Sequence, residues 1–297
     1  FADYCNSIIC KQVNIIEKNK YRANFFRFNV DLFADYGITI SNSYWEISYR
    51  NNTINSNTTL SIYYRKPTFP DTSDFAPEYR RIINSDILAI IDGLANSFSG
   101  VVLTKPYLLR QAENKIFQLI YAKSHSILMP KSFIGNNDYW KCINDQRIIK
   151  PISVGKIETS SGIAIIQTNL MHENDSYDSP ELTPVYIQEY IKKSFEVRIT
   201  VVDDDFFAVK IVSDNMIDWR AGNNNQYEII DIPIEIKKCI KMMMKDFQLR
   251  FGAIDYIVDV DGKWYFLEIN PNGQWQWLEC ILGLSISDSI MNMLLGG

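Results

Sequence analysis

A β-hairpin predicted at residues 251–270 constrains the fold of this chain more than any other feature. Two runs rich in β-branched and aromatic residues, 251–260 and 264–270, flank Asp261-Gly262, a pair typical of a tight two-residue hairpin turn. Counting back along both arms from such a turn places Asp255 directly opposite Glu268. Because side chains alternate between the faces of a strand, Asn270 lies on the same face as Glu268. The sequence therefore predicts two carboxylates and an amide in one cross-strand cluster.

This polar cluster has two interpretations. Two like charges in direct cross-strand register repel each other, and a bound cation is a good reason to keep them there. Two carboxylates and an amide oxygen are hard oxygen ligands of the kind that Mg²⁺ prefers. The other interpretation is the polar, solvent-facing edge of a strand. It is weakened by the apolar residues of both arms, which predict a hairpin that is at least half buried: Ile254, Ile257, Phe266, Leu267 and Ile269.

Composition and charge exclude several classes of protein. A length of 297 residues suits about two domains, or one domain with subdomains, and 46% hydrophobic residues are ample for a core. The net charge of −5 and the pI of 5.2 argue against binding driven by neutralisation of nucleic-acid phosphates. The sequence has no apolar run of ~18 residues, as a membrane span needs, and no signal-peptide pattern. The five cysteines are scattered and show no metal-binding spacing. We therefore expect a cytoplasmic protein with reduced thiols that binds neither nucleic acid nor membrane.

The patterns of hydrophobic and turn-forming residues divide the chain into three blocks. Residues 1–105 have an α/β pattern. Residues 106–185 combine helix with strands whose Gly and Ser residues suit a mobile flap over phosphates. Residues 186–297 alternate strands and helices around the hairpin. The chain is therefore expected to carry an N-terminal α/β domain followed by two subdomains.

Within these blocks, four elements bear on the later comparison with the structure. We predict an opening helix as far as about residue 18 and a strand at 24–29. Apolar residues at helical spacing predict one helix at 77–97 and another, uninterrupted, at 108–125.

Several segments together resemble those of the ATP-grasp ligases, and most closely those of the microviridin-type graspetide synthetases, which macrocyclise ribosomal peptides. The segment most specific for the ATP-grasp fold is Phe-Leu-Glu-Ile-Asn-Pro-Asn-Gly-Gln-Trp-Gln-Trp-Leu-Glu at 266–279. The other similar segments are 188–198, Asp-Trp-Arg at 218–220, Tyr-Arg-Lys-Pro at 64–67, and 112–119 around a lysine. The resemblance covers most of the chain.

The resemblance implies a mixed α+β and α/β architecture of the ATP-grasp type. The N-terminal α/β block, 1–105, corresponds to the pre-ATP-grasp domain of that family. The middle block, 106–185, corresponds to the central lid subdomain with its phosphate flap. The last block, 186–297, corresponds to the subdomain that binds nucleotide and magnesium.

ATP and Mg²⁺ are the cofactors that the resemblance implies. Asp255, Glu268 and Asn270 would bind the Mg²⁺ ion. Lys115 and Lys150 match the two nucleotide-binding lysines, whose ammonium groups neutralise phosphate charge. The alternative for either lysine is an ordinary surface position, which suits Lys150 less well because it ends an apolar strand.

The same resemblance assigns the contacts to adenine and ribose. Gln188, Glu189 and Ile191 match the hinge whose backbone meets adenine, although Gln188 replaces the acid that many ATP-grasp hinges carry. Glu196 matches the ribose-binding acid, whose two oxygens can accept from two hydroxyls.

Three residues are candidates for the chemistry itself. Arg198 and Arg220 would hold the γ-phosphate and the substrate carboxylate by bidentate pairing. Asp218, two residues before Arg220, would orient that arginine or contact the substrate.

A precursor peptide with a leader and a core is the partner that the resemblance implies, and a homodimer is left open as the oligomeric state. The stretch 172–181 would contact the leader through an acidic patch, or else form a solvated loop that contacts nothing. The residues of this patch are Glu173, Asp175, Asp178 and Glu181.

The activity implied is ATP-dependent activation of Asp or Glu side chains as acylphosphates, followed by closure of ω-ester or ω-amide rings with Ser, Thr or Lys. Ester and amide stay open at this point. Another ATP-grasp ligase, joining an amino acid to a small acid or a protein terminus, is the first alternative. A non-catalytic ATP-binding module is the second.

Overall fold

The computed structural model describes residues 23–137, 146–153, 156–159, 162–165, 168–171, 182 and 184–296. The helices in this part of the chain are α1 Pro77–Ser97, α2 Pro106–Ala112, α3 Lys115–Ser124, α4 Ile234–Asp246, α5 Gln276–Leu282 and α6 Ile286–Leu294. Short 3₁₀ turns cover Val30–Asp35 and Trp219–Ala221. No helix among these residues is both long and apolar enough to cross a membrane.

The strands of the described residues form five sheets. The first eight strands are β1 Gly37–Ile40, β2 Trp45–Tyr49, β3 Asn52–Asn55, β4 Ser61–Tyr63, β5 Val101–Leu103, β6 Ser132–Gly135, β7 Arg147–Lys150 and β8 Lys156–Thr159. The remaining strands are β9 Gly162–Ile165, β10 Asn169–Met171, β11 Val185–Glu189, β12 Lys193–Val202, β13 Asp205–Val212, β14 Gln226–Ile229, β15 Phe251–Asp259 and β16 Trp264–Asn270. The sheet orders are β1-β2-β3, β4-β5, β10-β7-β11-β6, β8-β9 and β14-β13-β12-β15-β16.

The five-stranded antiparallel sheet contains the predicted hairpin, and Asp255 faces Glu268 as predicted. The route to that register differs from the prediction. Trp264 faces Val258, and the backbone N–H of Asp259 donates to the carbonyl oxygen of Lys263 at 3.1 Å. The loop therefore holds three residues, 260–262, and the last of them, Gly262, adopts φ +80°. Such a loop is a common alternative to the two-residue turn. A register shift between Asp255 and Tyr256 then offsets the extra loop residue.

The sequence predicted a single helix at 108–125, and this prediction is wrong at its centre. Residues 113 and 114 separate α2 from α3. The Asn114 side chain accepts hydrogen bonds from the backbone N–H groups of Ile116 and Phe117, at 3.0 and 3.1 Å, and so caps α3. Lys115 is therefore the first residue of a helix and does not lie within one.

Two other helix and strand predictions can be compared with the structure. The helix predicted at 77–97 is confirmed as α1. Residues 24–29 form no strand. Instead, Phe28 contributes its ring to an aromatic cluster and lies edge-on to Tyr36, with 4.7 Å between ring centroids. The opening helix predicted as far as residue 18 lies outside the described residues.

Both faces of the five-stranded sheet are covered, and the residues of β12 alternate between apolar on one face and polar on the other. Val197, Ile199 and Val201 point towards α3 and α4, in a core with Ile240 and Met243. The opposite face packs against α5 and α6 at one end through Val202. The polar residues Glu196, Arg198 and Thr200 occupy the rest of that face and are also buried. A buried row of polar side chains marks this face as the place to look for a site.

Candidate functional site

A cavity of about 390 Å³ lies between the five-stranded sheet and the four-stranded sheet. Its walls come from β7 and β11 on one side and from β12, β15 and β16 on the other. Ten of the predicted site residues line it: Lys115, Lys150, Gln188, Glu189, Ile191, Glu196, Asp218, Arg220, Asp255 and Glu268. Apolar side chains that were not predicted as site residues also line the cavity: Ile148, Met216, Ile217, Ile257 and Leu267. The cavity therefore combines an apolar zone with a strongly charged one.

The carboxylates of Asp255 and Glu268 repel each other less than the sequence suggests, because Asp255 is paired with arginine. Nη1 of Arg198 donates to both carboxylate oxygens of Asp255, at 2.7 Å each. Nη2 of Arg220 lies 3.5 Å from one of them. Asp255 is thus neutralised by its neighbours, because Arg198 faces it across the strand pair β12–β15. Glu268 has no ion-pair partner among the described residues, and its carboxylate faces the cavity.

The chemistry of this donor set fits a Mg²⁺ ion. Each oxygen of Asp255 has a second lone pair beyond the one that Arg198 uses. The amide oxygen of Asn270 accepts from the backbone N–H of Asn272 at 3.0 Å and likewise has a lone pair to spare. Together with Glu268 these are hard oxygen donors on one hairpin, which is what magnesium requires.

Two lysines line the cavity and interact electrostatically with Glu268. Lys115 donates from Nζ to the carbonyl oxygen of Pro151 at 2.7 Å. Lys150 places its Nζ 4.8 Å from the centre of the Tyr186 ring. Burial lowers the pKa of Lys150 to about 8, Glu268 opposes this shift, and the charge of Lys115 adds to it. Burial also lowers the pKa of Lys115. Ammonium groups held this unfavourably suit an anionic ligand.

The sequence implies a bound nucleotide. When the nucleotide binds just above pH 8, we expect Lys150 to take up a proton. The folded protein disfavours the ammonium form, because its pKa lies below the ordinary value. A phosphate group beside it restores that form, so ADP affinity should be highest below about pH 8 and fall up to ~10-fold per pH unit above it. Calorimetry at about pH 8.5, in buffers of different ionisation enthalpy, measures the proton uptake.

Lys150→Gln should sharply reduce this uptake, whereas Lys210→Gln, at a surface ion pair with Glu228, should retain it. Equal proton uptake in the wild type and in Lys150→Gln would contradict the assignment.

The predicted hinge joins β11 to the loop before β12. The Gln188 side chain is fully buried, and its amide nitrogen donates to the hydroxyls of Ser132 and Tyr186 at 2.8 and 3.2 Å. Its amide oxygen has no partner in the part of the chain that the structure describes. The carboxylate of Glu189 accepts from the backbone N–H of Lys131 at 3.1 Å. The hinge is thus held by β6 and the residues before it, with Ile191 on the cavity wall.

Glu196 has a partner that the sequence analysis missed. The ammonium group of Lys193 lies 2.5 Å from Oε1 of Glu196, and both side chains are buried. The backbone N–H of Trp219 also donates to Oε1, at 3.2 Å. Burial raises the pKa of Glu196, while the Lys193 charge lowers it. The spacing Lys-x-x-Glu at the start of a predicted strand was the available signal, but an irregular register at Lys193 brings the two together.

The two arginines occupy different positions relative to the cavity. Arg220 lines it with a half-exposed side chain, and its carboxylate neighbours Asp218 and Asp255 lie at 3.4 and 3.5 Å. Although burial lowers the pKa of Arg220, these carboxylates and Glu268 raise it overall, so the side chain stays charged. Arg198 is only 6% exposed and lies behind Asp255. The structure therefore places Arg220, not Arg198, where an incoming anion can reach it.

Arg65 and the acidic patch complete the comparison with the sequence. Arg65, in the Tyr-Arg-Lys-Pro segment, is half-buried and donates to the turn that follows β16. The proposed leader contacts Glu173, Asp175, Asp178 and Glu181 lie outside the residues that the structure describes, and they stay a prediction.

Solved structures similar to this chain share its fold over nearly the full length. The macrocyclase MdnC of Microcystis aeruginosa MRC, bound with the precursor peptide MdnA, is 25% identical with a TM-score of 0.86. The alignment covers 98% of this chain and 96% of MdnC. The RiPP-associated ATP-grasp ligase of Chryseobacterium gregarium, in complex with ADP and a leader and core peptide, is 22% identical with a TM-score of 0.84, over 97% and 93% of the chains. Macrocyclase MdnB, also of Microcystis aeruginosa MRC, is 24% identical with a TM-score of 0.80, over 98% and 95%.

The sequence itself matches a known domain family. No curated protein matches the chain. Residues 112–294, more than half of the chain, match the RimK-like ATP-grasp domain. This match and the shared architecture confirm the ATP-grasp fold expected from the sequence. The chain belongs to the RimK-like ATP-grasp family and is an ATP-grasp ligase.

Proposed function

We propose that this ligase is an ATP-dependent peptide maturase. It activates Asp or Glu side chains of a ribosomal precursor peptide and closes ω-ester or ω-amide rings with Ser, Thr or Lys. The observation that carries the proposal is the likeness, along 98% of the chain, to a macrocyclase that is bound with its precursor peptide.

The chemistry follows from the poor reactivity of a carboxylate as an acyl donor. One carboxylate oxygen attacks the γ-phosphorus of ATP in line, the bond to the bridging oxygen breaks, and ADP leaves. The product is an acylphosphate on the substrate side chain. A hydroxyl or amine of the same peptide then attacks the carbonyl carbon, phosphate leaves with the bonding electron pair, and the nucleophile loses its proton. One ATP is thus consumed for each ring bond and one water is formally removed from the peptide.

Binding of the nucleotide is assigned to residues on the cavity wall. Lys115 and Lys150 offset the phosphate charge, and the lowered pKa of Lys150 marks it as the group that gains most from an anion. Adenine lies in the apolar zone beside the hinge residues Gln188, Glu189 and Ile191. The ribose hydroxyls donate to Glu196, whose orientation is fixed by Lys193.

Charge compensation at the reacting phosphate is assigned to the hairpin. Asp255, Glu268 and Asn270 would hold Mg²⁺, which when bound withdraws charge from the phosphate oxygens. Arg198 keeps the Asp255 carboxylate fixed through its two 2.7 Å contacts. This pairing keeps the Asp255 carboxylate in place, so that repulsion from Glu268 does not displace it before a cation binds.

The substrate carboxylate is assigned to Arg220. Its guanidinium is half exposed, and its ion pairs with Asp218 and Asp255 are long, so its fork is available to a second carboxylate. The Asp218 carboxylate also accepts from the backbone N–H of Arg220 at 3.0 Å and fixes the segment that carries the arginine.

Mass spectrometry of purified protein with ATP, Mg²⁺ and a precursor peptide tests the proposal. Peptides encoded by short reading frames beside the gene, rich in Thr, Ser, Lys, Asp and Glu, are the probes. We expect loss of one water per bond formed, matched by one ADP, and hydroxylamine should intercept the acylphosphate as a hydroxamate.

Free amino acids with a small carboxylic acid form the comparison reaction. The proposal predicts no ADP release in that reaction. ADP release with free amino acids, and none with any peptide, would instead favour a ligase that joins an amino acid to a small acid.

A further inference from the structure

A side chain from the N-terminal part of the chain holds the turn directly after the metal-binding hairpin. Arg65 lies just beyond β4. Its Nη1 donates to the carbonyl oxygen of Asn272 at 2.8 Å and to the side-chain oxygen of the same residue. Its Nη2 donates to the carbonyl oxygen of Gly273 at 3.0 Å. One guanidinium thus binds two consecutive residues of a turn that lies more than two hundred residues further along the chain.

This turn is connected at both ends to residues of the site. At its start, the backbone N–H of Asn272 donates to the amide oxygen of Asn270 at 3.0 Å. At its end, Nη2 of Arg198 donates to the carbonyl oxygen of Gln274 at 3.5 Å. The turn therefore joins a candidate metal ligand to the arginine that holds Asp255.

Close packing makes the position of the turn critical. A Cβ atom on Gly273 would lie 2.3 Å from the Cβ of Ala253 and 3.1 Å from Nη2 of Arg198. Only glycine allows the backbone to approach β15 and Arg198 this closely. A small displacement of the turn would therefore be transmitted to Arg198 and Asn270.

The electrostatics argue against a role for Arg65 in packing alone. Burial lowers the pKa of the Arg65 guanidinium, Tyr63 opposes this shift, and the nearby charge of Arg198 adds to it. Two like charges that act on each other are unfavourable unless carbonyl dipoles compensate them. Here the turn supplies those carbonyls, so holding the turn is the interaction that offsets the repulsion.

We infer that Arg65 is a positioning residue: it locks residues 271–274 so that Asn270 presents its amide oxygen beside Asp255 and Glu268. The inference rests on the proposed magnesium role of the hairpin. It assigns a task in the ligase subdomain to a residue of the N-terminal part of the chain. A purely architectural contact would hold the two parts together without affecting metal affinity.

Calorimetry of ADP binding over a series of Mg²⁺ concentrations distinguishes the two roles. In Arg65→Met, ADP affinity without metal should stay within about twofold of the wild type, because Lys150 and Glu196 do not contact the turn. The Mg²⁺ concentration that gives half of the gain in ADP affinity should rise roughly 10-fold, the usual effect of losing a residue that orients a metal ligand.

Arg80→Met is the matched control. Arg80 also donates to two backbone carbonyls, those of Phe75 and Ser73 at 2.8 Å each, but in a loop of the N-terminal part. Its removal should leave the Mg²⁺ requirement unchanged. A wild-type Mg²⁺ requirement in Arg65→Met, or an equal rise in Arg80→Met, overturns the inference.

Asn272→Ala provides a second, milder variant. It removes one acceptor of Arg65, so the Mg²⁺ requirement should rise less than in Arg65→Met, and the double variant should be no worse than Arg65→Met alone. If the two substitutions raise the Mg²⁺ requirement additively, Arg65 and Asn272 act separately, and the positioning role of Arg65 is overturned. If Arg65→Met does not fold, as judged by its thermal melt, a raised Mg²⁺ requirement in Asn272→Ala supports the inference and an unchanged one overturns it.

These measurements need no peptide, so the two proposals fail separately. If the wild-type protein binds ADP more tightly with Mg²⁺ but converts no peptide, the proposed peptide maturase activity is contradicted. The positioning role of Arg65 is not affected by that result. If the ADP affinity of the wild-type protein does not respond to Mg²⁺, the positioning role of Arg65 is overturned, whatever the substrate is.

Discussion

Glu268→Gln should give a folded protein whose peptide-dependent ADP release is at least ~100-fold slower at saturating ATP and Mg²⁺. Glu268 is the hairpin carboxylate without an ion-pair partner in the described part of the chain, so its charge is available to a cation in the cavity. The amide of glutamine keeps the size of the side chain but carries no charge. Release of ADP, followed in a coupled assay, is the measurement.

The stability of this variant should change little. Loss of the Glu268 charge relieves repulsion from Asp255 but also removes the attraction that raises the pKa of Lys150 and Lys115. Glu228→Gln, on the exposed strand β14, is the control and should turn over like the wild type. Wild-type turnover in Glu268→Gln would remove the hairpin from the catalytic site.

Asp255→Asn should lose activity as well, but with a different effect on folding. Its carboxylate neutralises the buried guanidinium of Arg198, and replacing it leaves that charge without a counter-ion. Removing one partner of a buried ion pair costs about 3 kcal/mol or more. Urea unfolding should therefore separate the two variants: Asp255→Asn is destabilised and Glu268→Gln is not. Equal unfolding free energies would mean that Arg198 does not depend on Asp255.

The sequence was most informative where a feature is local. The facing carboxylates of Asp255 and Glu268 could be predicted because both arms of the hairpin have strong strand character. The predicted pairing is correct although the predicted turn is one residue too short. A three-residue loop shifted the register by one, and an irregularity beside Tyr256 shifted it back. Had that irregularity been absent, the side chains of one arm would have changed faces, and Glu268 would not lie opposite Asp255.

Contacts between distant segments were beyond the reach of sequence patterns. Periodicity gives the face on which Arg198 lies, but not that its guanidinium is already occupied by Asp255. Likewise, a Tyr-Arg-Lys-Pro segment gives no sign that Arg65 bonds to Asn272. The break at Asn114 was hidden because apolar spacing continues through it, and only the cap shows that Lys115 starts a helix. The contacts of Arg198 and Arg65 depend on three-dimensional packing, which sequence patterns do not give. The Asn114 cap is a local contact, and an asparagine directly before Lys115 is a signal for it.

Arg220→Lys should lower kcat/KM for the peptide roughly 100-fold while ADP affinity stays within about threefold of the wild type. Lysine keeps the positive charge that Asp218 and Asp255 favour, so the charge balance of the cavity is preserved. What it lacks is the planar fork that can bind a carboxylate with two parallel hydrogen bonds. The loss should therefore appear in the steps that involve the substrate carboxylate and not in nucleotide binding.

The geometry around Arg220 makes this variant decisive for the substrate side of the cavity. Its contacts to Asp218 and Asp255, at 3.4 and 3.5 Å, are too long to lock the guanidinium, so few protein interactions are lost with the fork. Arg250→Lys is the matched control, because Arg250 forms a true bidentate pair with Asp203 at 2.6 Å on the surface, and its loss should not affect turnover. If Arg220→Lys retains wild-type kcat/KM with the peptide, a point charge is sufficient at this position. The reacting carboxylate would then have to be held by another group on the cavity wall.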